Sequence, residues 1–388
     1  MTDALDLHLS ADQRALYERT LRLADGTLAP IANGGEPGRV NRPLIAALAE
    51  HGLLERLFAG GQVRAIDLCL IREALARGCT EAETAFALQG LGAYPIVQAG
   101  TPAVREEWIP RVAAGEAVAA FALTEPEAGS DPAALSLRAE PDPDCDPAHP
   151  GYRLTGEKLW ISNAPDADVY TVFARTDPHP DPAHPAPGLT AVAVPGDAPG
   201  LSGAPRELLA AHAIGSLTFD GVPVSAEQVL GEPGRGFRVA MGTLDLFRPS
   251  VGAFAVGMAR AALDLATSYA LARRTFGRPI AEHQAVAHRL ADLRAQTEAA
   301  RLLVHQAALA HDAGTPDPSV AAMAKLLATE VAQAAVDAAV QVHGAVALER
   351  GHPLEHLYRD VRAPRIYEGA SEIQREIIAR GMFREAAS

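Results

Sequence analysis

The segment PRIYEGASEIQRE, residues 364 to 376, contains groups that could carry out proton chemistry. Tyr367, Glu368 and Gly369 stand together, and Ser371 precedes apolar residues at helical spacing. This order predicts a turn that holds Glu368 just before a new helix. A carboxylate held in such a turn can act as a general base. A solvated turn glutamate is the alternative, and for an average protein it is the commoner case.

Three further stretches carry groups suited to an anionic or aromatic ligand. FALTEPEAGSD, residues 121 to 131, ends in small residues whose backbone amides can face a phosphate. KLWISNA, residues 158 to 164, places an indole near a hydroxyl in a predicted strand, and ARRTFGRPIAEHQ, residues 272 to 284, joins two predicted helices. Each also has an ordinary reading: a common turn, a core tryptophan, and arginines that complement a helix dipole.

The periodicity of apolar residues divides the chain into helices, then strands, then helices. Residues 1–119 show helical spacing and begin with a capping box at Ser10 and Gln13. Residues 120–232 consist of short runs rich in β-branched and aromatic residues, separated by Gly, Pro, Asn and Asp. Residues 233–388 return to long, alanine-rich helices typical of a bundle. The predicted fold is therefore α+β and mainly α, with three domains at these boundaries.

The composition is that of a soluble globular protein. Of its 388 residues, 48% are hydrophobic and 21% charged, and the net charge of −14 argues against nucleic acid or an anionic membrane as a partner. Three widely spaced cysteines without a CxxC pattern predict reduced thiols and no metal site. Histidines in two Pro/Asp-rich stretches, 140–151 and 177–188, are better explained as parts of solvated loops. No signal peptide or membrane span is predicted, which favours a cytoplasmic protein; the high Ala, Gly and Pro content suggests a bacterial source.

Taken together, these stretches resemble the acyl-CoA dehydrogenase family almost from end to end. The TEPEAGSD turn, residues 124–131, is the most specific match, and further motifs follow in the family's order at 151–163, 245–294 and 358–376. The resemblance implies an N-terminal helical domain, a middle β-barrel domain and a C-terminal four-helix bundle. It also implies FAD-dependent conversion of an acyl-CoA to the trans-2-enoyl-CoA in fatty acid β-oxidation. Electrons would pass to an electron-transferring flavoprotein, and the chain would form a homo-oligomer, a tetramer built as a dimer of dimers.

The resemblance also implies a set of site residues. Those near the flavin ring and the adjoining pyrophosphate are Phe121, Leu123, Thr124, Gly129, Ser130, Trp160, Ile161 and Ser162. Those that contact FAD from the C-terminal domain, in part the FAD of a neighbouring subunit, are Arg273, Phe276, Gln284, Gln341, Gly344, Ala345, Ala370 and Glu372. Those matching substrate-binding positions are Ser130, Thr176, Asp245, Arg248, Tyr367 and Gly369.

By the same resemblance, Glu368 is the catalytic base. One branch of the family carries its base immediately before the helix arginine instead, but Phe247 occupies that position here, before Arg248. Desolvation by a bound acyl chain is expected to raise the pKa of the Glu368 carboxyl towards neutrality.

Several positions depart from the family pattern. Ala370 stands where threonine is usual, and Ala345 replaces a glycine, so contacts to FAD are reduced. In the glutaryl branch of the family, an arginine binds the second carboxylate of the substrate. This chain has Glu83 at the position of that arginine, which disfavours a dicarboxylic substrate. Two alternatives stay open: an oxidase of the same fold that uses O₂, and a non-catalytic scaffold protein that retains the fold.

Overall fold

The computed structural model describes residue 6 and residues 8–58, 63–143, 145, 151–177, 186 and 188–387. About 60% of the chain is helical, and the strands fall in the middle of the sequence, so the predicted class is confirmed. The α-helices are α1 (Ala11–Leu23), α2 (Ala29–Asn33), α3 (Arg42–Glu50), α4 (Ala65–Gly78), α5 (Thr80–Ala99), α6 (Pro102–Ala113), α7 (Gly236–Ala272), α8 (Gln284–Asp312), α9 (Pro318–His343), α10 (Pro353–Asp360) and α11 (Ser371–Ala387). The strands are β1 (Ala119–Ala122), β2 (Arg138–Pro141), β3 (Tyr152–Ser162), β4 (Val169–Arg175), β5 (Leu189–Pro195), β6 (Leu201–Pro205), β7 (Ile214–Val224), β8 (Val229–Leu230), β9 (Arg274–Thr275) and β10 (Arg278–Pro279).

The capping box predicted at the first helix is present. The Gln13 amide N–H donates to Ser10 Oγ at 3.2 Å, and the Ser10 N–H donates to Gln13 Oε1 at 2.9 Å. These bonds satisfy two backbone donors that the first turn of α1 would otherwise leave unpaired. The helix therefore begins where the sequence predicts.

The chain forms two compact units by internal contacts. One unit joins the chain up to Ala29, Arg64–Glu83 and the chain from Asp245 onward; the other comprises Pro30–Val63 and Thr84–Leu244. They are called the helical unit and the sheet unit below. The predicted three-domain boundaries stay a prediction.

The sheet unit is built on eight strands in one sheet, in the order β6-β7-β3-β2-β4-β5-β8, with β1 pairing parallel to β4. Helix α5 lies against the sheet at Gly92, where an added Cβ would come within 2.5 Å of the Ala120 nitrogen. Only glycine allows that approach. The register of β3 on β7 shifts between Lys158 and Ile161, which marks a bulge.

The helical unit is held together by its long helices. Helix α9 packs on α8 and on α11, and α8 also packs on α4. Gly257 on α7 lies so close to α4 that an added Cβ would clash with the Glu73 carbonyl oxygen. This close approach matches the alanine-rich composition of the helices.

The sequence predicts no membrane span, and one helical segment bears on that prediction. Among the described residues, Pro318–Leu348 is long and apolar enough to cross a membrane by length and composition. Its apolar face is accounted for within the helical unit, where α9 packs on α8, α10 and α11. A core helix passes the same test of length and hydropathy.

A charged cluster within the helical unit predicts pH-dependent stability. His356 on α10 lies 3.0 Å from Asp360 and 3.2 Å from Glu81, and Thr80 Oγ1 is 2.9 Å from its ring. The hydrogen bonds to Asp360 and Glu81 raise the His356 pKa to about 10, from an ordinary 6.5. Its stabilisation is therefore fully present below pH 6.5 and is lost as the pH rises through 10.

Replacing this residue, as His356→Gln, is expected to lower the free energy of unfolding by about 1 kcal/mol at pH 6, since the ring is partly exposed and screened. Urea unfolding of both proteins at pH 6 and at pH 10 measures the effect, and the difference should be smaller at pH 10. An equal difference at the two pH values would contradict the charged pairing.

Candidate active site

Glu368 lies in a short loop, Tyr367–Gly369, called the carboxylate loop below. It connects a 3-10 helix, Ala363–Arg365, to α11, so the predicted turn before a helix is confirmed. Glu368 has φ of +50° and Gly369 has φ of +92°. The left-handed region is strained for a glutamate, and such strain is concentrated at functional sites.

The Glu368 carboxyl is in an environment that suits a base. Its Oε2 atom is buried and has no hydrogen-bond partner among the described residues. Burial raises the pKa of the carboxyl, and the cations Arg72, Lys325 and Arg248 oppose that rise without cancelling it. A carboxylate with an unpaired buried oxygen and a raised pKa is well suited to accept a proton.

Two of these cations have carboxylate partners of their own. Arg72 is buried, pairs with Glu83 through its Nε, and donates from Nη1 to Ser250 Oγ at 2.6 Å. Arg248 pairs with Asp245 at 3.1 Å. The structure thus brings Arg248, Tyr367 and Glu368 close together, and it shows that the Glu83 carboxylate offsets the charge of Arg72.

The alternative base position, immediately before Arg248, contains no carboxylate. Phe247 there is buried and apolar. Glu368 is thus the residue of this neighbourhood that combines an unpartnered carboxyl oxygen with a raised pKa.

The TEPEAGSD turn is held by a buried ion pair in the sheet unit. Lys158 Nζ lies 2.8 Å from Glu125 Oε1 and donates to the Leu123 carbonyl at 3.0 Å. Glu125 also accepts from the Ser136 N–H at 2.6 Å and from the Leu137 N–H at 2.9 Å. Burial alone would raise the Glu125 pKa, but Lys158 and these bonds lower it, so the carboxylate stays ionised. The pair fixes the chain on both sides of Thr124, while Gly129 and Ser130 are exposed.

Trp160 is displaced from the regular pattern of β3. It lies at the bulge, has φ of +60°, and its side chain is 47% exposed. A bulge re-aims a side chain that would otherwise follow the alternation of the strand. Arg206 lies over the indole, 5.4 Å from its centroid, and both line a cavity of about 360 Å³. An exposed indole on a bulge favours a binding surface over a core role.

The other predicted residues of the sheet unit lie on β1, on the TEPEAGSD turn and at the end of β3. The Leu159 N–H donates to the Thr124 carbonyl at 3.0 Å, which ties the turn to β3. Ile161 is buried and Ser162 is half-buried at the end of the strand. Phe121 is half-buried on β1, 5.0 Å from the Phe173 ring.

Thr176 is the exception among the sheet-unit residues. Its hydroxyl is held by the Gly188 carbonyl at 3.0 Å and the Thr190 hydroxyl at 2.9 Å. Its local bonding is thus structural.

A second cavity lies in the helical unit, beside the hairpin formed by β9 and β10. Phe276 and Gly277 form its two-residue turn with φ of +51° and +81°. Positive φ at both positions is typical of the tightest hairpin turns, and it leaves Phe276 96% exposed. The cavity, about 490 Å³, has Phe276, Arg289 and Gln341 in its lining and is called the hairpin cavity below. The structure thus places Phe276 and Gln341 in the lining of one cavity, and their roles stay predictions.

The remaining C-terminal positions lie at helix ends. Arg273 follows α7 and is exposed, and Gln284 is the first residue of α8. Gly344 ends α9 with φ of +69°, and Ala345 follows it, exposed. Ala370 and Glu372 flank the start of α11, and Glu372 points to Arg375 at 3.7 Å. The roles of all these residues stay predictions.

Sequence reasoning missed three charged residues that organise the sites: Arg72, Lys158 and Lys325. All three are buried. Arg72 and Lys325 interrupt apolar stretches of α4 and α9, and a charge in an apolar helical stripe is the signal that could have found them. Among the described residues, no group of three His, Cys, Asp or Glu side chains is placed to hold a metal ion; the histidines of the two Pro/Asp-rich stretches lie outside the described residues.

Comparison with known proteins identifies the class to which this fold and these sites belong. Three domain profiles match in order: acyl-CoA dehydrogenase N-terminal domain over residues 10–116, middle domain over 120–222 and C-terminal domain over 234–383. The chain is 34% identical to cyclohexane-1-carbonyl-CoA dehydrogenase of Geobacter metallireducens, over 97% of this chain and 99% of that protein.

Solved structures give the same result. Butyryl-CoA dehydrogenase of Megasphaera elsdenii superposes with a TM-score of 0.88 at 32% identity, over 97% of this chain and 99% of that one. A chain from work on the electron transferring flavoprotein of Acidaminococcus fermentans has a TM-score of 0.89 at 31% identity, over 98% and 100%. Glutaryl-CoA dehydrogenase of Mycobacterium smegmatis in complex with FADH2 has a TM-score of 0.88 at 26% identity, over 98% and 96%.

The chain therefore belongs to the acyl-CoA dehydrogenase family. It is an oxidoreductase with the three-domain fold of that family, which catalyses FAD-dependent dehydrogenation of acyl-CoA.

Proposed function

We propose that this enzyme converts an acyl-CoA to the trans-2-enoyl-CoA with Glu368 as the base, and that an electron-transferring flavoprotein receives the electrons. The observation that carries the proposal is the Glu368 carboxyl, with its buried, unpartnered oxygen and raised pKa. The family membership supplies the reaction class. One of the similar solved structures comes from work on an electron transferring flavoprotein, which supports the choice of this acceptor.

The carboxylate loop would supply two groups to the thioester. Glu368 takes the α proton and becomes a neutral carboxylic acid, which its raised pKa favours. The Glu368 N–H has no partner among the described residues, so it can donate to the thioester carbonyl and stabilise the enolate-like charge. Arg248 is near this loop and can interact with the anionic part of CoA.

The residues present fit FAD. The hairpin cavity falls in the size range of ligand pockets and offers an aromatic ring, an amide and a guanidinium. The exposed Trp160 and the exposed Gly129–Ser130 backbone offer a stacking surface and amide donors. When bound, FAD supplies a ring that accepts the β hydride. We assign Trp160, Thr124 and Ser162 to the flavin ring, and Phe276 and Gln341 to the FAD of a neighbouring subunit.

An anaerobic visible spectrum tests this function. Purified protein is titrated with straight-chain, branched and cyclohexane-1-carbonyl-CoA, and the flavin band should bleach with at least one of them. Bleaching should follow formation of the enoyl-CoA in equal amount. A yellow protein that no acyl-CoA bleaches would contradict the proposed reaction, and a colourless protein that cannot be reconstituted with FAD would favour the scaffold.

The acceptor is tested separately. Bleached protein is mixed either with an electron-transferring flavoprotein or with air-saturated buffer. We expect fast reoxidation by the flavoprotein and little peroxide. Peroxide equal to the enoyl-CoA formed would identify an oxidase instead.

Homo-oligomer formation is part of the proposal. The Phe276 ring is almost fully exposed on the hairpin, and large exposed apolar groups mark contact sites. We propose that this hairpin reaches a neighbouring subunit, in a tetramer. Light scattering that shows a fully flavinated, active monomer would contradict it. The cytoplasmic location stays a prediction.

A further inference from the structure

Two residues of helix α9 bind the carboxylate loop and the residues that flank it. Lys325 Nζ donates to the Tyr367 carbonyl at 2.8 Å and also to the Gly369 carbonyl. Further along the same helix, Glu330 accepts from Ser371 Oγ at 2.8 Å and pairs with Arg365 at 2.9 Å. The chain from 365 to 371 is thus fixed to α9 on both sides of Glu368.

Lys325 is an unusual buried cation. It is 0% exposed, and among the described residues no carboxylate lies within ion-pair distance of its Nζ. A buried ammonium without a carboxylate partner is costly. Its described hydrogen bonds go to the two carbonyls that flank Glu368. The burial of the Lys325 ammonium is costly, and its hydrogen bonds go to a single loop. Lys325 is therefore a candidate for a role in that loop.

The bond to Tyr367 also orients the neighbouring N–H. The Tyr367 carbonyl and the Glu368 N–H belong to one planar trans peptide, in which the two groups point in opposite directions. Because the carbonyl points to Lys325, the Glu368 N–H points away from α9, where it has no partner among the described residues. Lys325 therefore sets the direction of the proposed thioester donor.

We propose that Lys325 is a positioning residue: its ammonium fixes the peptides on either side of Glu368 so that the N–H and the carboxylate can serve one thioester, and its charge favours the ionised base. This inference rests on the proposed function of Glu368.

The charges that face the loop come from several elements. Arg72 on α4 is paired with Glu83 on α5, Arg248 on α7 is paired with Asp245, and Glu330 on α9 is engaged by Arg365 and Ser371. Of the three cations near Glu368, Arg72 and Arg248 each form an ion pair with another carboxylate. Among the described residues, Lys325 forms none. Burial lowers the Lys325 pKa, and the nearby Glu368 carboxylate opposes this effect. The resulting pKa is about 8, so the ammonium persists at neutral pH.

The test replaces the cation by an apolar side chain of similar length, Lys325→Met. We expect kcat to fall about 100-fold, because a misplaced reacting group costs about that much, with a much smaller change in KM. The acid limb of the kcat profile should move to higher pH, because a cation that favours ionised Glu368 is gone. Exchange of the substrate α hydrogen in deuterated water should slow in parallel, and it reports the base independently of electron transfer.

Two control variants separate geometry from charge. Gln374 is buried and donates to the Gly369 carbonyl at 2.9 Å, so Gln374→Leu removes a neutral donor from the same loop. It should lower kcat about 10-fold without moving the acid limb. Arg380→Met removes an exposed cation from α11 and should change neither quantity.

A folded Lys325→Met protein with wild-type kcat and an unmoved acid limb would overturn the inference. Should it fail to fold, Lys325→Gln decides: it keeps a donor and loses the charge, so its acid limb should move while kcat falls less. An unmoved limb in that variant would equally overturn the inference. A wild-type protein that no acyl-CoA bleaches would instead overturn the proposed function, and the inference with it.

Discussion

Replacing Glu368 by glutamine is expected to lower kcat roughly 10²–10⁴-fold, the range that a positioned general base contributes. Glutamine has the shape of glutamate but cannot take the α proton. The backbone N–H of residue 368 remains available for the thioester carbonyl, so the Kd for the acyl-CoA should change little. Stopped-flow bleaching of the flavin band measures the rate, and an equilibrium titration measures the Kd.

The matched control is Glu376→Gln, the same chemical change eight residues further on. Glu376 is exposed and pairs with the exposed Arg380 at 3.0 Å, so its replacement should leave the rate within about twofold. Equal losses in the two variants would mean that Glu368 is not the base.

The Glu368→Gln protein should also be more stable at neutral pH. Burial raises the Glu368 pKa, so protonation stabilises the folded state at low pH and this stabilisation is lost as the pH rises through the folded pKa. Glutamine stays neutral throughout. We expect a gain of about 1 kcal/mol at pH 8 that shrinks as the pH approaches 4.5, the ordinary value. A variant less stable than the wild type at pH 8 would argue that the carboxylate has a buried partner.

The second large effect concerns stability. Glu73 is fully buried on α4 and bonds to Arg301 Nε at 2.8 Å and to Arg260 Nη1 at 2.8 Å. His305 lies 3.5 Å from its other oxygen. Burial alone would raise the Glu73 pKa, but Arg301, His305 and Arg260 lower it, so the carboxylate is ionised in the folded protein. The stabilisation is present above the ordinary pKa and is lost as the pH falls through the folded value.

Replacing this residue, as Glu73→Gln, is expected to lower the free energy of unfolding by about 3–5 kcal/mol, because buried Arg260 loses its carboxylate partner and buried Arg301 is left with Asp6 alone among the described residues. Urea unfolding at pH 7 measures the change. The control is Glu376→Gln, which removes an exposed partner of Arg380 and should cost less than about 0.5 kcal/mol. Similar small losses in both variants would show that the buried guanidinium groups do not need the carboxylate.

The sequence by itself determined the class of this protein and the identity of its candidate base. The TEPEAGSD turn and the IYEG segment are local motifs, and helix and strand periods are also local, so a linear reading can find them. The predicted mainly helical fold with strands in its middle is confirmed, and so is the position of Glu368 before a helix.

Backbone conformation at the sites was decided only in three dimensions. Trp160, Phe276 and Glu368 are three of the four non-glycine residues with positive φ among the described residues. The identity of a non-glycine residue does not predict a left-handed backbone conformation. In this protein the bulge, the hairpin and the anchored loop impose that conformation on the three residues.

The partners of the buried charges were likewise decided by the tertiary structure. Lys325 meets the Tyr367 carbonyl 42 residues along the chain, Lys158 meets Glu125 across 33 residues, and Arg301 meets Glu73 across 228. A local pattern shows that a charge interrupts an apolar stripe, but not which distant group offsets its burial. That choice depends on packing, because a low-polarity interior makes each buried charge depend on the groups the fold places beside it.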